Sequence, residues 1–216
     1  MPSALKTQKK EGIKIKDLKA HVFAAIILLA VIAIYFLSDS SKGISKFTLI
    51  TRIFAYAGAV LLSCSFLLGT VKAFNPSLAK YLKYRKTIGL WGAFLIIIHF
   101  VLSMQYNYNW NFGAFLNFQN PFGFAFTMAI IAFIIFLAMT LTSNPESMKK
   151  LGLRKWKCLH RIGYIALFLG IMHALYIPSS VFYSTKHGMF LVALIILVLL
   201  LKAGSIIKDI KKYPVC

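Results

Sequence analysis

Apolar residues along this chain fall into six long blocks separated by short polar stretches. The blocks cover roughly 20–37, 47–71, 88–104, 122–142, 158–177 and 188–201. A helix of about 20 apolar residues matches the thickness of a bilayer's hydrocarbon core. Inside lipid each backbone N–H and C=O needs an internal partner, so blocks of this kind are expected to be helices. The sequence therefore predicts an all-α integral membrane bundle of six transmembrane helices. The first block could be taken for a signal peptide. Its apolar stretch is longer than a signal core and no clean A-x-A site follows, so it is expected to remain as a helix. The expected organisation is a basic tail over 1–19, a six-helix domain over 20–207 and a second tail over 208–216.

Composition agrees with this reading. Of 216 residues, 59% are hydrophobic and 14% charged, too few charges to coat a soluble domain of this size. The formal charge of +20 suggests nucleic acid until the positions are considered. Six lysines precede the first block. Lys80, Lys83, Arg85 and Lys86 lie between the second and third, and Lys149 to Arg161 surround the fourth loop. Residues 105–122 hold no charge at all. This is the positive-inside pattern, and it places both termini in the cytoplasm. Topology thus accounts for the charge, and no nucleic-acid partner is expected; lipid is. The uncharged loop 105–122, rich in Asn and aromatics, reads as an interfacial belt.

Cys64, Cys158 and Cys216 are scattered, with no C-x-x-C pair, so no iron–sulfur or zinc site is expected and the three read as free thiols. All five acidic residues (Glu11, Asp17, Asp39, Glu146 and Asp209) lie outside the blocks. That argues against coupled transport through intramembrane carboxylates. No G-x-G-x-x-G motif is present, so a partner must supply reductant for any redox role.

An ionisable side chain within a span is costly and marks a functional hypothesis. Of five histidines, only His99 and His173 lie deep inside blocks. His21 and His187 sit at block ends and read as structural or interfacial, as do Arg52 and Lys72, which can snorkel. His99 follows Lys86 by 13 residues, and His173 follows Arg161 by 12. At 1.5 Å per residue both imidazoles stand roughly 18–20 Å from the basic end of their helices. Two neutral imidazoles at one level can supply both axial bonds to a haem iron. Gly163, Ala166, Gly170 and His173 share one helix face, and Gly92 and Ser103 share the face of His99. Small residues there would let a flat macrocycle approach the backbone, although ordinary helix packing uses the same residues.

A second haem would need another pair nearer the cytoplasm. Arg85 stands 14 residues before His99, and His160 stands 13 before His173. An arginine is always protonated and is a poor axial ligand. Thirteen residues also turn an ideal helix by about 220°, so His160 points away from His173 unless the helix is distorted. Arg85, Lys86 and Arg161 suit haem propionates, an anionic flavin or a quinone headgroup equally well, and also suit a simple basic anchor.

The run Arg85-Lys86-Thr87-Ile88-Gly89-Leu90-Trp91, followed by His99, resembles a signature of the ferric reductase-like transmembrane family. Leu141-Thr142-Ser143, Leu151-Gly152, Trp156-Lys157-x-Leu159-His160-Arg161-x-x-Tyr164 and then His173 resemble its second signature. The resemblance spans residues 80–178, and size and layout are nearest to the family's small haem subunits of the MsrQ type, which partner a periplasmic methionine sulfoxide reductase. It implies a six-helix bundle in a bacterial inner membrane and b-type haem held by His99 and His173. It also implies a second-site role for His160, with arginine at 85 as in MsrQ-type members. Electrons would come from a cytoplasmic flavoprotein or quinol and leave to an extracytoplasmic acceptor, with FMN or quinone as further cofactor candidates. Direct reduction of a ferric chelate and a non-redox membrane role are the alternatives. The second span lacks the T-L-x-x-T-P pattern expected of MsrQ-type members, which leaves the acceptor open.

Overall fold

The structure is a computed structural model. It describes the chain except residues 1–2, 38–42, 44, 114–116, 118, 178–184 and 210–216, and except the side chains of 3–17 and 208–209. Asp39, Lys42, the Pro178-Ser179-Ser180 break and Cys216 lie outside the described residues.

Six helices are long and apolar enough to cross a membrane. They are α1 (Ser3–Leu37), α2 (Lys46–Val71), α3 (Leu82–Asn107), α4 (Gly123–Leu141), α5 (Pro145–Tyr176) and α6 (Lys186–Asp209), with a 3-10 turn over Pro76–Tyr81 before α3. All six predicted spans are therefore present. Most helices outrun their apolar blocks, because Lys and Arg at the ends are good helix formers. The basic N-terminal stretch runs into the first span as one helix from Ser3.

Capping residues set several boundaries. Ser45 accepts from the Thr48 N–H at the start of α2, and Asn144 accepts from the Ser147 N–H ahead of Pro145 at the start of α5. Within α5 the chain kinks at Gly152, where φ is 73°. That backbone region favours glycine, so the kink divides a short lead from the spanning part. Just past the kink, Trp156 donates its Nε1–H to the Thr142 carbonyl at 2.9 Å and ties the start of the spanning part to the end of α4.

The bundle is organised around α2, which packs on α1, α3, α5 and α6. Its tightest neighbour is α3. A Cβ on Gly92 would lie 2.8 Å from the Leu62 nitrogen and 3.0 Å from the Gly58 carbonyl oxygen. Lower down, the Ser65 hydroxyl donates to the Arg85 carbonyl at 2.9 Å. Lipid offers no hydrophobic drive for helix association, so close backbone approach and such hydrogen bonds hold the pair together. On the other side, a Cβ on Gly163 would lie 2.6 Å from both Met139 and Phe66, which seats α5 on α4 and α2. The Tyr164 hydroxyl meets Thr70 Oγ1 at 2.8 Å.

Gly92→Val is expected to lower the thermal midpoint sharply in mild detergent. Two of the three nearest atoms in its way, the Leu62 nitrogen and the Gly58 carbonyl oxygen, are backbone and cannot rotate aside, and overpacking of this kind costs about 1–3 kcal/mol or more. An unchanged midpoint would show that α2 and α3 can part without loss.

Cys64 is a free thiol, as expected. Cys158 is not: it is disulfide-bonded.

Candidate functional site

Toward the end of the bundle where α2 begins and α3 finishes, called here the upper end, the helices part around a cavity of about 510 Å³. That volume is in the range of cofactor and small-ligand pockets. The cavity is lined from all six helices, and His99 on α3 and His173 on α5 both edge it. The two histidines singled out by depth therefore meet in one space.

Each ring is fixed by a backbone carbonyl of the preceding helix. His99 Nδ1 lies 2.9 Å from the Thr51 carbonyl oxygen on α2, and His173 Nδ1 lies 3.0 Å from the Ala125 carbonyl oxygen on α4. A carbonyl can only accept, so both Nδ1 atoms carry the proton. In a neutral imidazole the lone pair then resides on Nε2. Neither Nε2 makes a hydrogen bond among the described residues. The arrangement presents two oriented, basic nitrogens from different helices to one cavity. Metal-binding histidines are commonly oriented in this way through the second ring nitrogen. Ser103 Oγ adds a longer contact to His99 Nδ1 at 3.5 Å.

The walls suit a flat apolar body. Phe100 and Phe133 stack at 4.3 Å between ring centres, and Phe126 leans on the His173 ring at 6.3 Å. A Cβ on Gly170, in the cavity wall, would meet nothing within 4 Å. The small-residue face expected on α5 thus divides by role: Gly163 and Ala166 are packing surface, and Gly170 is open space. On α3, Gly92 serves packing while Ser103 lines the cavity. Among the described residues no three His, Cys, Asp or Glu side chains cluster as a protein-only metal site requires.

Besides His99, His173, Thr51 and Ser103, the polar lining consists of Tyr35, Thr48, Arg52, Asn107 and Tyr108, all near the upper helix ends. Tyr108 lies just beyond α3, and burial pushes its phenol up to about 12, so it stays a neutral donor. Arg52, expected to snorkel, edges the cavity beside Thr51. The signal in the sequence was its sign and place, since it stands six residues into a helix that starts at Lys46, at the charge-poor end.

The other predicted site residues lie elsewhere. His160 stacks on Trp156 at 4.0 Å; its Nδ1 faces the Trp156 carbonyl at 3.0 Å and its Nε2 faces Ser143 Oγ at 3.4 Å. The Arg85 guanidinium lies over Gly69, 2.8 Å from where a Cβ would sit. Arg161 is exposed. None of the three lines the cavity. His21 accepts the Trp91 Nε1–H at 2.7 Å, joining α1 to α3. His187 packs between Tyr35 and Tyr56, at 5.1 and 5.8 Å.

The family described as "Ferric reductase like transmembrane component" matches residues 54–171 of this chain, more than half its length. The chain belongs to that family. For this ferric reductase-like protein, the matched stretch holds His99, His160, Arg85 and Arg161, whereas His173 lies just beyond it and Arg52 just before. Similar curated proteins carry the name protein-methionine-sulfoxide reductase heme-binding subunit MsrQ. The protein of Brucella anthropi is 32% identical over 95 residues, covering 43% of this chain and 41% of its own. That of Herminiimonas arsenicoxydans is 28% identical over 94 residues, covering 43% and 42%. That of Brucella ovis is 32% identical over 96 residues, covering 44% and 42%. The ferric reductase-like chain thus spans about two fifths of the length of the curated relatives it matches.

Proposed function

We propose that this chain is a membrane electron-transfer subunit that holds one b-type haem between α3 and α5. The observation that carries the proposal is the pair of Nε2 lone pairs, on His99 and His173, in one cavity with their Nδ1–H groups already committed to carbonyls. An iron held within a macrocycle needs only two further ligands, which fits a site without a third protein donor. The open wall at Gly170 and the aromatic sides fit the flat group. The names of the relatives point to the same cofactor.

A haem held there supplies a one-electron iron couple in an apolar, largely enclosed setting. The chain's own residues orient both ligands, limit water and leave the cavity's polar rim at the upper end. The charge pattern supports an upper end facing outward, both termini in the cytoplasm, and tails over 1–19 and 208–216 flanking a domain over 20–207. In this reading the chain sits in a bacterial inner membrane. It takes electrons from a cytoplasmic flavoprotein or quinol and passes them to an extracytoplasmic acceptor, a periplasmic reductase by analogy with the relatives' names.

The test is a reduced-minus-oxidised spectrum of the protein purified in detergent after expression with ample haem. Low-spin bands at near one haem per chain are expected, and His21→Ala and His187→Ala should retain them. A preparation that is folded yet free of haem bands would overturn the proposal. Loss of half the haem in His160→Ala would mean two haems rather than one.

A further inference from the structure

We propose that the seam between α1 and α3, toward the lower end of the bundle, binds an ester-linked anionic phospholipid, with His21 as the donor to its ester carbonyl. The site stands apart from the cavity and does not depend on the haem reading. It starts from one hydrogen bond, in which the Trp91 Nε1–H donates to His21 Nδ1 at 2.7 Å. An indole N–H can only donate, so Nδ1 holds a lone pair and the ring hydrogen sits on Nε2. The indole thus fixes the imidazole as a neutral donor, and the two rings meet edge to face at 5.9 Å.

The Nε2–H is turned away from the indole, on a residue exposed at the surface of the bundle. No described residue accepts from it. His21 lies three residues inside the span that starts at Leu18, and Trp91 lies three beyond Ile88, where the apolar block of α3 begins. A donor at the edge of hydrocarbon is costly without an acceptor. The glycerol ester carbonyls of a phospholipid are acceptors at that depth, where the hydrocarbon core meets the headgroup zone.

Levels along α3 select the lipid. Tyr84 stands seven residues below Trp91, two turns down on the same face, which is roughly 10 Å. The Lys83 ammonium lies over the Tyr84 ring at 5.0 Å. The headgroup zone is about 5–8 Å deep, and an ammonium–phosphate contact adds about 3 Å. A phosphate below the carbonyl held by His21 therefore reaches Lys83. Above the pair, Ala25 and Phe94 are exposed one turn on from His21 and Trp91, as a surface for acyl chains. Cation, donor and apolar surface thus follow one another as phosphate, ester and chain do in the lipid. A lipid seated there bridges α1 and α3, which already pack together. A quinone headgroup offers the same carbonyl acceptor without the anion, and is the other source of that chemistry.

The full-length chain, delipidated in detergent, is titrated with phosphatidylglycerol, its ether-linked analogue, phosphatidylcholine and decylubiquinone. Affinity is read from the rise of the thermal midpoint with ligand concentration. The ether analogue keeps the phosphate and lacks both ester carbonyls. Wild type should prefer ester-linked over ether-linked phosphatidylglycerol by about 2- to 10-fold, the range for one hydrogen bond. It should prefer phosphatidylglycerol over phosphatidylcholine by about fivefold, the effect of one lysine at an anionic headgroup. His21→Phe keeps a ring against Trp91, so it should lose the ester preference and retain the headgroup preference, which also reports an intact site. Lys83→Gln should do the reverse.

Equal affinity of wild type for the ester and ether lipids would overturn the inference without any variant. An ester preference that survives in His21→Phe would overturn it as well. Tighter binding of decylubiquinone than of phosphatidylglycerol, lost in His21→Phe, would give the donor to a quinone instead.

Discussion

His173→Ala is expected to abolish the low-spin haem spectrum, and millimolar imidazole is expected to restore it. The side chain contributes one of two oriented Nε2 donors, and no other described residue lining the cavity offers an imidazole apart from His99. Losing a hydrogen bond that merely orients a metal ligand costs roughly 10- to 100-fold in affinity. Losing the ligand itself should cost more, so haem content after purification should drop well below one per chain. The variant is not expected to unfold. His173 releases only the Ala125 carbonyl, which sits inside α4 and retains its helical partner. Free imidazole should enter the vacated volume and coordinate in its place. A stoichiometric low-spin spectrum in His173→Ala, measured without imidazole, would sink the assignment. His99→Ala should behave likewise, with the Thr51 carbonyl in the role of Ala125.

The relation between these two histidines was readable from spacing alone. Helix rise converts equal distance from the basic helix ends into equal depth, and the structure puts both rings on one cavity. The six spans were readable for a similar reason, since apolar block length is a direct physical constraint of the bilayer. The groups that orient the rings were not readable. Thr51 and Ala125 act through backbone carbonyls, which every residue has, so no side-chain pattern announces them. Arg52 read as a snorkelling residue near a span end and not as a lining residue, because lining depends on which face α2 turns inward. The Gly152 kink escaped attention because one glycine between helix-forming residues is weak punctuation.

The glycines show the same limit most sharply. Gly92, Gly163 and Gly170 are alike in sequence, each a small residue on a spanning helix. In the structure, a Cβ at Gly92 strikes the α2 backbone and the Leu62 side chain, one at Gly163 strikes Met139 and Phe66, and one at Gly170 strikes nothing within 4 Å. Small-residue faces therefore mark close approach without saying whether a helix or a ligand does the approaching.

That difference yields the second large effect, at a position that ligates nothing. Gly170→Leu is expected to exclude the cofactor while leaving the bundle folded. The first added carbon enters open space, and the branched remainder extends into the cavity edged by His173. The Cβ displaces no helix contact, and exchanging glycine for a good helix former favours α5 by up to about 1 kcal/mol. The thermal midpoint of the haem-free protein should therefore hold or rise, while haem per chain falls to a small fraction of the wild-type value. Gly170→Ala, one carbon in open space, should keep the haem. Gly163→Leu should do the reverse of Gly170→Leu in origin: it must displace Phe66 and Met139, so folding itself should suffer before any cofactor is lost. Imidazole cannot rescue Gly170→Leu, because both axial nitrogens remain and only the room is gone. Normal haem content in Gly170→Leu, at an unchanged midpoint, would place the cofactor somewhere other than between His99 and His173.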